Sequence, residues 1–318
     1  MRLLHISDLH IREQVGLSDE NILSRFCDFL IVNASVTPFD HIVLTGDLRD
    51  ARDSIAVDDA VSIVNRIVKS TNIVKKESIH VVPGNHDLKR CDDEDKNAIG
   101  KIRKAYDYKN GTFSDTAISL SLMVSRFDEF FWPFCDIFYG EFNPWKKRNT
   151  NPHTICIDKE NAFVYLNSCL TCIENNMDGN LVVGLAYLDK LLKIASDAKN
   201  IFIMSHHPIQ NFATAEEAGL QRLVESYPDK IFYWLCGDAH SNRACSRDYV
   251  HLYQVGSLTG RASTIPDFAI YDIANGKIER RVFRFLHHLN SPSPNQGGWK
   301  RVYIDPRSPS LNFDIDTH

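Results

Sequence analysis

The chain has 318 residues, of which 43% are hydrophobic and 24% are charged. This composition is typical of a soluble globular protein, and the length suffices for one large α/β domain or two smaller ones. The formal net charge of -5 argues against the strongly basic surface that binds extended nucleic acid or an anionic membrane. No apolar run approaches the roughly 20 residues of a transmembrane helix.

The distribution of cysteines and the first residues of the chain indicate the cellular compartment of the protein. Met1 and Arg2 lead directly into an apolar segment, so we expect no signal peptide. The eight cysteines are scattered, and several lie within apolar runs. This distribution is typical of reduced, buried thiols rather than of a disulfide framework. We therefore expect a cytoplasmic protein, and the sequence leaves its oligomeric state open.

The first part of the chain alternates between apolar strands and amphipathic helices. Strands are predicted over residues 2–7, 40–45 and 79–82, with helices over 18–35 and 54–69 between them. The nearly continuous apolar run of the second strand is typical of a strand buried on both faces of a parallel sheet. The pattern predicts a βαβαβ unit with right-handed crossovers.

The alternation lapses between residues 89 and 154, which predicts an insertion lying over the site as a lid. Helices are predicted within it over about 95–105 and 116–131, together with an aromatic-rich stretch at 127–145. We interpret these aromatic residues as the core of the lid. The alternative is a platform on which Trp132 or Trp145 stacks a nucleobase.

Strand character resumes after the insertion and continues almost to the end of the chain. Strands are predicted at 154–157, 162–166, 201–204 and 231–236, and helices at about 185–198 and 214–226. Short strands at 252–255, 269–273 and 279–285 predict a second, largely antiparallel sheet. We therefore predict one domain over residues 1–290, with an insertion at about 89–154. A loosely structured C-terminal tail is predicted over 291–318.

Metal-ligand side chains follow the ends of five apolar strands. They are Asp8 and His10, Asp47, Asn85 and His86, His206 and His207, and Asp238 and His240. Because open α/β sheets collect ligands at the carboxyl ends of their strands, we expect these side chains to converge. Oxygen and imidazole donors without thiolate suit two divalent ions such as Mn²⁺, Fe²⁺, Zn²⁺ or Co²⁺. Such a pair, about 3.5–4 Å apart, activates a water and clamps a phosphoryl group.

The order of these residues resembles that of the calcineurin-like metallophosphoesterase superfamily. Its pattern of DxH, GD, GNH followed by D or E, then H and GHxH, is matched by residues 8–10, 46–47, 84–87, 206 and 237–240. The resemblance covers roughly residues 1–285 and is strongest to the cyclic-nucleotide and glycerophosphodiesterase-like branch. It implies an α/β fold, a four-layer αββα sandwich of two mixed sheets flanked by helices.

The resemblance also implies roles for individual residues. Asp8, His10, Asp47 and His240 would hold a first metal ion, and Asp47 would bridge to a second. Asn85, His206 and Asp238 would complete the second site, with His207 as the alternative to His206. His86 would donate a hydrogen bond or a proton, with Asp87 orienting it. We expect Asn85, His86 and His207 to contact the substrate as well.

One position departs from the family pattern. The family usually has histidine where this chain has Asp238. A carboxylate is a harder ligand than imidazole and adds negative charge, so we expect Mn²⁺ or Mg²⁺ to be favoured over Zn²⁺ in the second site. The shorter side chain also predicts weaker binding of the second ion.

Together these features predict a metal-dependent phosphoesterase with two divalent ions, Mn²⁺ being the favoured metal. It would hydrolyse a phosphodiester or phosphomonoester by attack of a hydroxide bound to both ions, on a small nucleotide-like substrate. One alternative is a nuclease of the same superfamily, and another is a non-catalytic scaffold that retains the fold. A scaffold is expected to lose ligands and the histidine of GNH, whereas this chain keeps His86.

Overall fold

The computed structural model describes residues 1–13, 17–50, 55–89, 92–114, 116–173, 179–259, 265–274, 277–287 and 297–302. The α-helices in these ranges are α1 (Leu17–Val36), α2 (Val57–Ser70), α3 (Asp93–Lys104), α4 (Thr116–Ser125), α5 (Phe131–Tyr139), α6 (Leu185–Ile194) and α7 (Thr214–Glu225). The strands are β1 (Arg2–Ile6), β2 (His41–Leu44), β3 (Ile79–Val81), β4 (Thr154–Asp158), β5 (Asn161–Tyr165), β6 (Asn200–Met204), β7 (Ile231–Cys236), β8 (Arg243–Arg247), β9 (Val250–Gln254), β10 (Asp267–Ala274), β11 (Lys277–His287) and β12 (Gly297–Val302). Among the described helices, none is long and apolar enough to cross a membrane.

The strands form two mixed sheets of six strands each. The first has the order β12-β11-β10-β1-β2-β3, and the second has the order β4-β5-β6-β7-β9-β8. Strands β1, β2 and β3 pair in parallel, as do β5, β6, β7 and β9. The carboxyl ends of the parallel strands therefore lie at one edge of each sheet. Helices flank the sheets, so the predicted arrangement of two mixed sheets between helices is confirmed.

One apolar core runs through the layers of the sandwich. Between the sheets, the Phe163 ring on β5 stacks on His80 of β3 with 4.0 Å between ring centroids. On the helix side of the first sheet, Phe26 of α1 contacts Phe268 of β10 at 4.8 Å. His80 is fully buried, and its Nδ1 lies 2.8 Å from the hydroxyl of Tyr165. Aromatic packing and this buried polar contact thus help to join the two sheets.

The late strands do not form a sheet of their own, and that prediction is wrong. Strand β9 pairs in parallel with β7 in the second sheet, whereas β10 pairs antiparallel with β1 in the first. Alternation of apolar and polar residues reports which face of a strand is buried. It contains no information about the sheet edge that the strand joins.

The expectation of a loosely structured tail is wrong for β12 at Gly297–Val302. This strand pairs antiparallel with β11, and its Trp299 is buried against Phe26 and Phe268. The Pro- and Ser-rich residues next to this segment are typical of a loop, so the sequence did not indicate a strand. The strand forms because the fold places it beside β11. Residues 288–296 and 303–318 lie outside the described part of the chain.

The aromatic residues of the insertion are core residues. Trp132 and Trp145 are buried, so the alternative in which they stack a nucleobase is wrong. The Trp145 indole Nε1 donates to Val81 O at 3.2 Å, and the Tyr139 hydroxyl donates to Ile79 O at 2.9 Å. Both bonds cover the outer edge of β3, on which none of the described strands pairs. A lid function of the insertion stays a prediction.

Candidate metal centre

The segments that follow β1 and β2 remain paired beyond the ends of the strands. The backbone N–H of Asp8 donates to Gly46 O at 3.1 Å, and that of His10 donates to Asp47 O at 3.0 Å. The N–H of Ile11 continues the series with a bond to Leu48 O. This extension fixes the Asp8–His10 turn against the Asp47 turn, so that their side chains share one space.

Two glycines allow the other turns to approach this pair. A Cβ added to Gly84 would lie 2.1 Å from the backbone N of Asp47, and one added to Gly237 would lie 1.9 Å from Ser7 Oγ. Both distances are far below van der Waals contact, so only glycine fits at either position. Gly84 therefore brings the Asn85 turn to Asp47, and Gly237 brings the end of β7 to the end of β1.

A first cluster of donor atoms forms around Asp8. His10 Nε2 lies 3.0 Å from His240 Nε2, and Asp8 Oδ1 lies 3.2 Å from His240 Nε2 and 3.8 Å from His10 Nε2. Donor atoms bound to one ion at about 2.1 Å, at angles near those of tetrahedral or octahedral geometry, lie about 3.0–3.4 Å apart. Two of the three distances lie in this range and the third, 3.8 Å, is slightly longer, so the three side chains are close to the spacing of ligands of a single ion.

A second cluster forms around His206. Its Nε2 lies 2.9 Å from Asn85 Oδ1, 3.4 Å from Asp47 Oδ1 and 3.6 Å from Asp238 Oδ1. The other ring nitrogen, Nδ1, lies 2.8 Å from the carbonyl oxygen of Thr45, which can only accept a hydrogen bond. Nδ1 therefore carries a proton, and Nε2 is the ring nitrogen that faces the oxygens and would bind an ion.

Asp47 connects the two clusters. Its Oδ1 faces His206, whereas its Oδ2 lies 3.8 Å from His10 Nε2. The carboxylate is buried, and Oδ1 also accepts a hydrogen bond of 2.8 Å from the backbone N–H of His86. A carboxylate that directs one oxygen into each of two donor clusters has the arrangement of a ligand shared by two ions. The donor set therefore fits two divalent ions.

Burial and neighbouring charges act in opposite directions on the ionisable groups of the two clusters. Burial raises the pKa of the Asp47 carboxyl well above its usual range, although His206 acts in the opposite direction. Burial lowers the pKa of His206, but the carboxylates of Asp47, Asp8 and Asp238 outweigh it and raise the pKa to about 9. For His10, burial dominates and lowers the pKa to about 3. The carboxylates that raise the pKa of His206 would equally stabilise a divalent ion.

The structure does not support the predicted orienting role of Asp87. Its Oδ1 accepts hydrogen bonds from the backbone N–H groups of Leu48 and Arg49 at 3.0 and 3.2 Å. Its Oδ2 accepts from the N–H of Gly84 at 2.8 Å. Asp87 thus ties the two turns together. Asp50 is the carboxylate that faces His86, with Oδ1 3.7 Å from the imidazole Nδ1.

Asp50 is a residue that the sequence reasoning missed. It lies three residues after Asp47 in the same turn, and this spacing was the available signal. Its backbone N–H donates to Ile11 O at 3.0 Å, which places the side chain between His86 and Arg12. Arg12 Nε lies 3.2 Å from Asp50 Oδ2. The carboxylate is therefore held from both sides.

The candidate substrate contacts differ in their accessibility. His86 is partly exposed, with 12% of its side-chain surface accessible, and its ring lies 4.9 Å from that of His10. Asn85 is intermediate in burial and reaches the second cluster through Oδ1. His207 is buried, and its Nδ1 lies 3.0 Å from Ser168 Oγ. The predicted contact between His207 and the substrate is therefore less direct than that of His86.

Two mixed sheets that bring carboxylates and imidazoles together at their strand ends define a metallophosphoesterase type of protein. The sequence profile of the calcineurin-like phosphoesterases matches residues 1–242, and the chain belongs to this family. Family membership supports a metal-dependent phosphoesterase with a binuclear divalent metal centre.

Individual relatives are distant. The chain is 24% identical over 330 aligned positions to YydB of Bacillus subtilis (strain 168), described as an uncharacterized metallophosphoesterase-like protein. The match covers 99% of this chain and 65% of the length of that relative. Among solved structures, a dimetal phosphatase from Danio rerio superposes with a TM-score of 0.53 at 12% identity. The superposition covers 89% of this chain and 95% of the phosphatase chain, and this similarity confirms the fold.

Proposed function

We propose that this chain hydrolyses a small phosphoester, either a diester or a monoester, with the help of two divalent ions. The observation that carries the proposal is the position of Asp47, which directs one carboxylate oxygen into each donor cluster. When bound, such an ion pair supplies Lewis-acid stabilisation of the phosphoryl group and activation of a water molecule. The residues of the protein position the ions, the water molecule and the phosphoryl group.

The proposed ligands follow the two clusters. Asp8, His10 and His240 serve the first ion, Asn85, His206 and Asp238 serve the second, and Asp47 serves both. The carboxylate of Asp238 adds a hard oxygen ligand to the second site. The proposed metal is therefore Mn²⁺, with Mg²⁺, Fe²⁺, Zn²⁺ or Co²⁺ able to substitute.

We assign the proton transfer to His86. Its imidazole is the partly exposed histidine beside Asp47, and Asp50 faces its Nδ1. A negative charge at this distance favours the protonated ring, which can then donate a proton to the leaving oxygen. General acid catalysis of this kind contributes roughly 10²–10⁴ in rate.

The proposed substrate is a small phosphoester or nucleotide. The net charge of -5 disfavours long contacts with the phosphates of a duplex. Because Trp132 and Trp145 are buried, a nucleobase would have to be recognised by other groups. No disulfide joins two of the described cysteines, and the proposed location is a reducing compartment such as the cytoplasm.

The experiment that tests the proposal is an assay of metal-stripped protein. Bis-p-nitrophenyl phosphate and p-nitrophenyl phosphate are supplied with Mn²⁺, Zn²⁺ or Mg²⁺ in turn. Asp47→Asn keeps the shape of the side chain but removes its charge, and we expect it to lower the metal-dependent rate more than about 100-fold. Asp107→Asn, in an exposed turn, is the matched control and retains the rate.

The ratio between the two esters distinguishes a diesterase from a monoesterase. Metal analysis of the same protein gives an independent measurement. Two ions per chain in the wild type and fewer in Asp47→Asn support the proposal. A wild type that neither binds ions nor cleaves either ester refutes it and favours a scaffold.

A further inference from the structure

The buried imidazole of His207 has a hydrogen-bond partner at only one of its two ring nitrogens among the described residues. Its backbone N–H donates to Ser168 Oγ at 3.1 Å, and its carbonyl accepts from the Ser205 hydroxyl at 2.7 Å. The ring Nδ1 faces Ser168 Oγ at 3.0 Å. The opposite ring nitrogen, Nε2, is buried and has no hydrogen-bond partner among the described residues. Leaving a buried polar atom unpaired is energetically unfavourable, so its placement indicates a ligand.

The unpaired nitrogen belongs to a ring that adjoins the second donor cluster. One donor atom each from His206, His207 and Asp238 lie within 4.8 Å of one another. Two donors on one ion with bonds of about 2.1 Å can be at most about 4.2 Å apart. Movements of well under about 1 Å therefore bring all three within reach of a single ion.

One carboxylate oxygen of Asp238 is engaged by a neighbouring side chain. Its Oδ2 accepts a hydrogen bond of 3.2 Å from Asn211 Nδ2, so Oδ1 is the oxygen left to face His206. The side chain is short, and one oxygen is already engaged. The second cluster thus contains one restricted carboxylate oxygen, and the adjoining ring of His207 has one nitrogen without a hydrogen-bond partner among the described residues.

We propose that His207 is a ligand of the second ion through Nε2, in addition to His206. With the Nδ1–H donated to Ser168 Oγ, Nε2 keeps its lone pair for the ion. The inference rests on the proposed function, because it presupposes that the second cluster holds an ion. It assigns to the second ion a donor set of two imidazoles, two carboxylates and one amide oxygen, which includes His207, Asp238 and Asn85.

Metal binding by the metal-stripped protein tests the inference without reference to catalysis. Calorimetric titration with Mn²⁺ is performed on the wild type, on His207→Gln and on His153→Gln. His153 is a matched control because its buried ring is hydrogen-bonded to Val183 O on the neighbouring backbone. We expect two sites in the wild type and in His153→Gln. In His207→Gln the first site is unchanged, and the second binds at least 10-fold more weakly.

A second variant reports ligation directly. His207→Cys, loaded with Co²⁺, is expected to show a thiolate-to-cobalt charge-transfer band in its absorption spectrum. The wild type, which carries Cys169 near His207, serves as the blank and shows no such band. This measurement also decides the question if His207→Gln does not fold.

The outcomes separate the inference from the proposed function. Two ions bound equally well by the wild type and His207→Gln, with no thiolate band in His207→Cys, overturn the role of His207 and leave the phosphoesterase proposal intact. A wild type that binds no ion overturns both. A lost second site together with the thiolate band supports both.

Discussion

The role of Asp50 gives the sharpest prediction about catalysis. Replacing Asp50 with Asn keeps the size of the side chain and removes the charge that faces His86 Nδ1 at 3.7 Å. The imidazole then lacks the anion that favours its protonated form, so proton donation to the leaving group is weakened. The effect is expected only for substrates whose leaving group requires a proton.

The magnitude follows from the geometry. Two unit charges about 4 Å apart interact with about 4 kcal/mol at an effective dielectric constant near 20. Arg12 lies 3.2 Å from the other carboxylate oxygen and offsets part of this attraction. We therefore expect a loss of about 1.4–2.8 kcal/mol in transition-state stabilisation, which corresponds to a rate decrease of about 10- to 100-fold.

The assay compares an alkyl phosphoester with a p-nitrophenyl ester in the presence of saturating Mn²⁺. Asp50→Asn is expected to slow cleavage of the alkyl ester by about 10- to 100-fold. Cleavage of the p-nitrophenyl ester should slow by less than about 3-fold. In a His86→Gln background the same substitution should have no further effect, because the two residues act as one unit. Equal losses on both esters, or additive losses in the double variant, would refute this reasoning.

The remaining predictions concern stability and the approach of the turns. Burial lowers the pKa of His153 from its ordinary 6.5 to about 4, so the ring is neutral when folded and stability is lost as pH falls below about 6.5. Urea unfolding in chelator should show a loss of about 2 kcal/mol from this residue between about pH 7.5 and about pH 5. In His153→Gln this pH-dependent loss of unfolding free energy should be absent. A His153→Gln protein whose unfolding free energy falls with pH as steeply as that of the wild type would contradict the assignment. Gly84→Ala places a Cβ 2.1 Å from Asp47 N, so calorimetry should show Mn²⁺ binding weakened more than about 10-fold. Gly100→Ala, in open space on α3, should bind normally and gain about 0.5–1 kcal/mol in urea unfolding; normal binding by Gly84→Ala would argue against the close approach.

The candidate ligands were predictable because each follows an apolar run in the sequence. A strand that ends in a polar turn places its last side chains at the edge of the sheet, and parallel strands share that edge. Asp8, Asp47, Asn85 and His206 therefore converge without any knowledge of side-chain conformation. The helices were predictable for a similar reason, since α2 and α7 begin and end within a few residues of their apolar stripes.

Details that depend on long-range placement were not predictable. Asp87 follows His86 in sequence, yet its carboxylate turns to the backbone of Leu48 and Arg49, because the turn directs it there. Asp50 reaches His86 only because the chain after β2 remains paired with the chain after β1. Strand β12 depends on β11 as a partner in the same way. Sequence patterns report local burial, whereas these contacts join segments that are far apart in the chain.

The backbone at the centre is as specialised as its side chains. Among the described residues, five of the seven non-glycine residues with positive φ are candidate ligands: Asp8, His10, Asp47, Asp238 and His240. A left-handed conformation costs a non-glycine residue about 1–2 kcal/mol. The cost summed over the five residues is comparable with the net stability of a whole domain, so the surrounding structure must hold these residues in the left-handed conformation. The bonds from Asp8 N–H to Gly46 O and from the Ser257 hydroxyl to Asp8 O show how it is imposed. Strain of this kind persists where function requires it, and its concentration in the two donor clusters favours a preformed centre over a chance meeting of surface histidines.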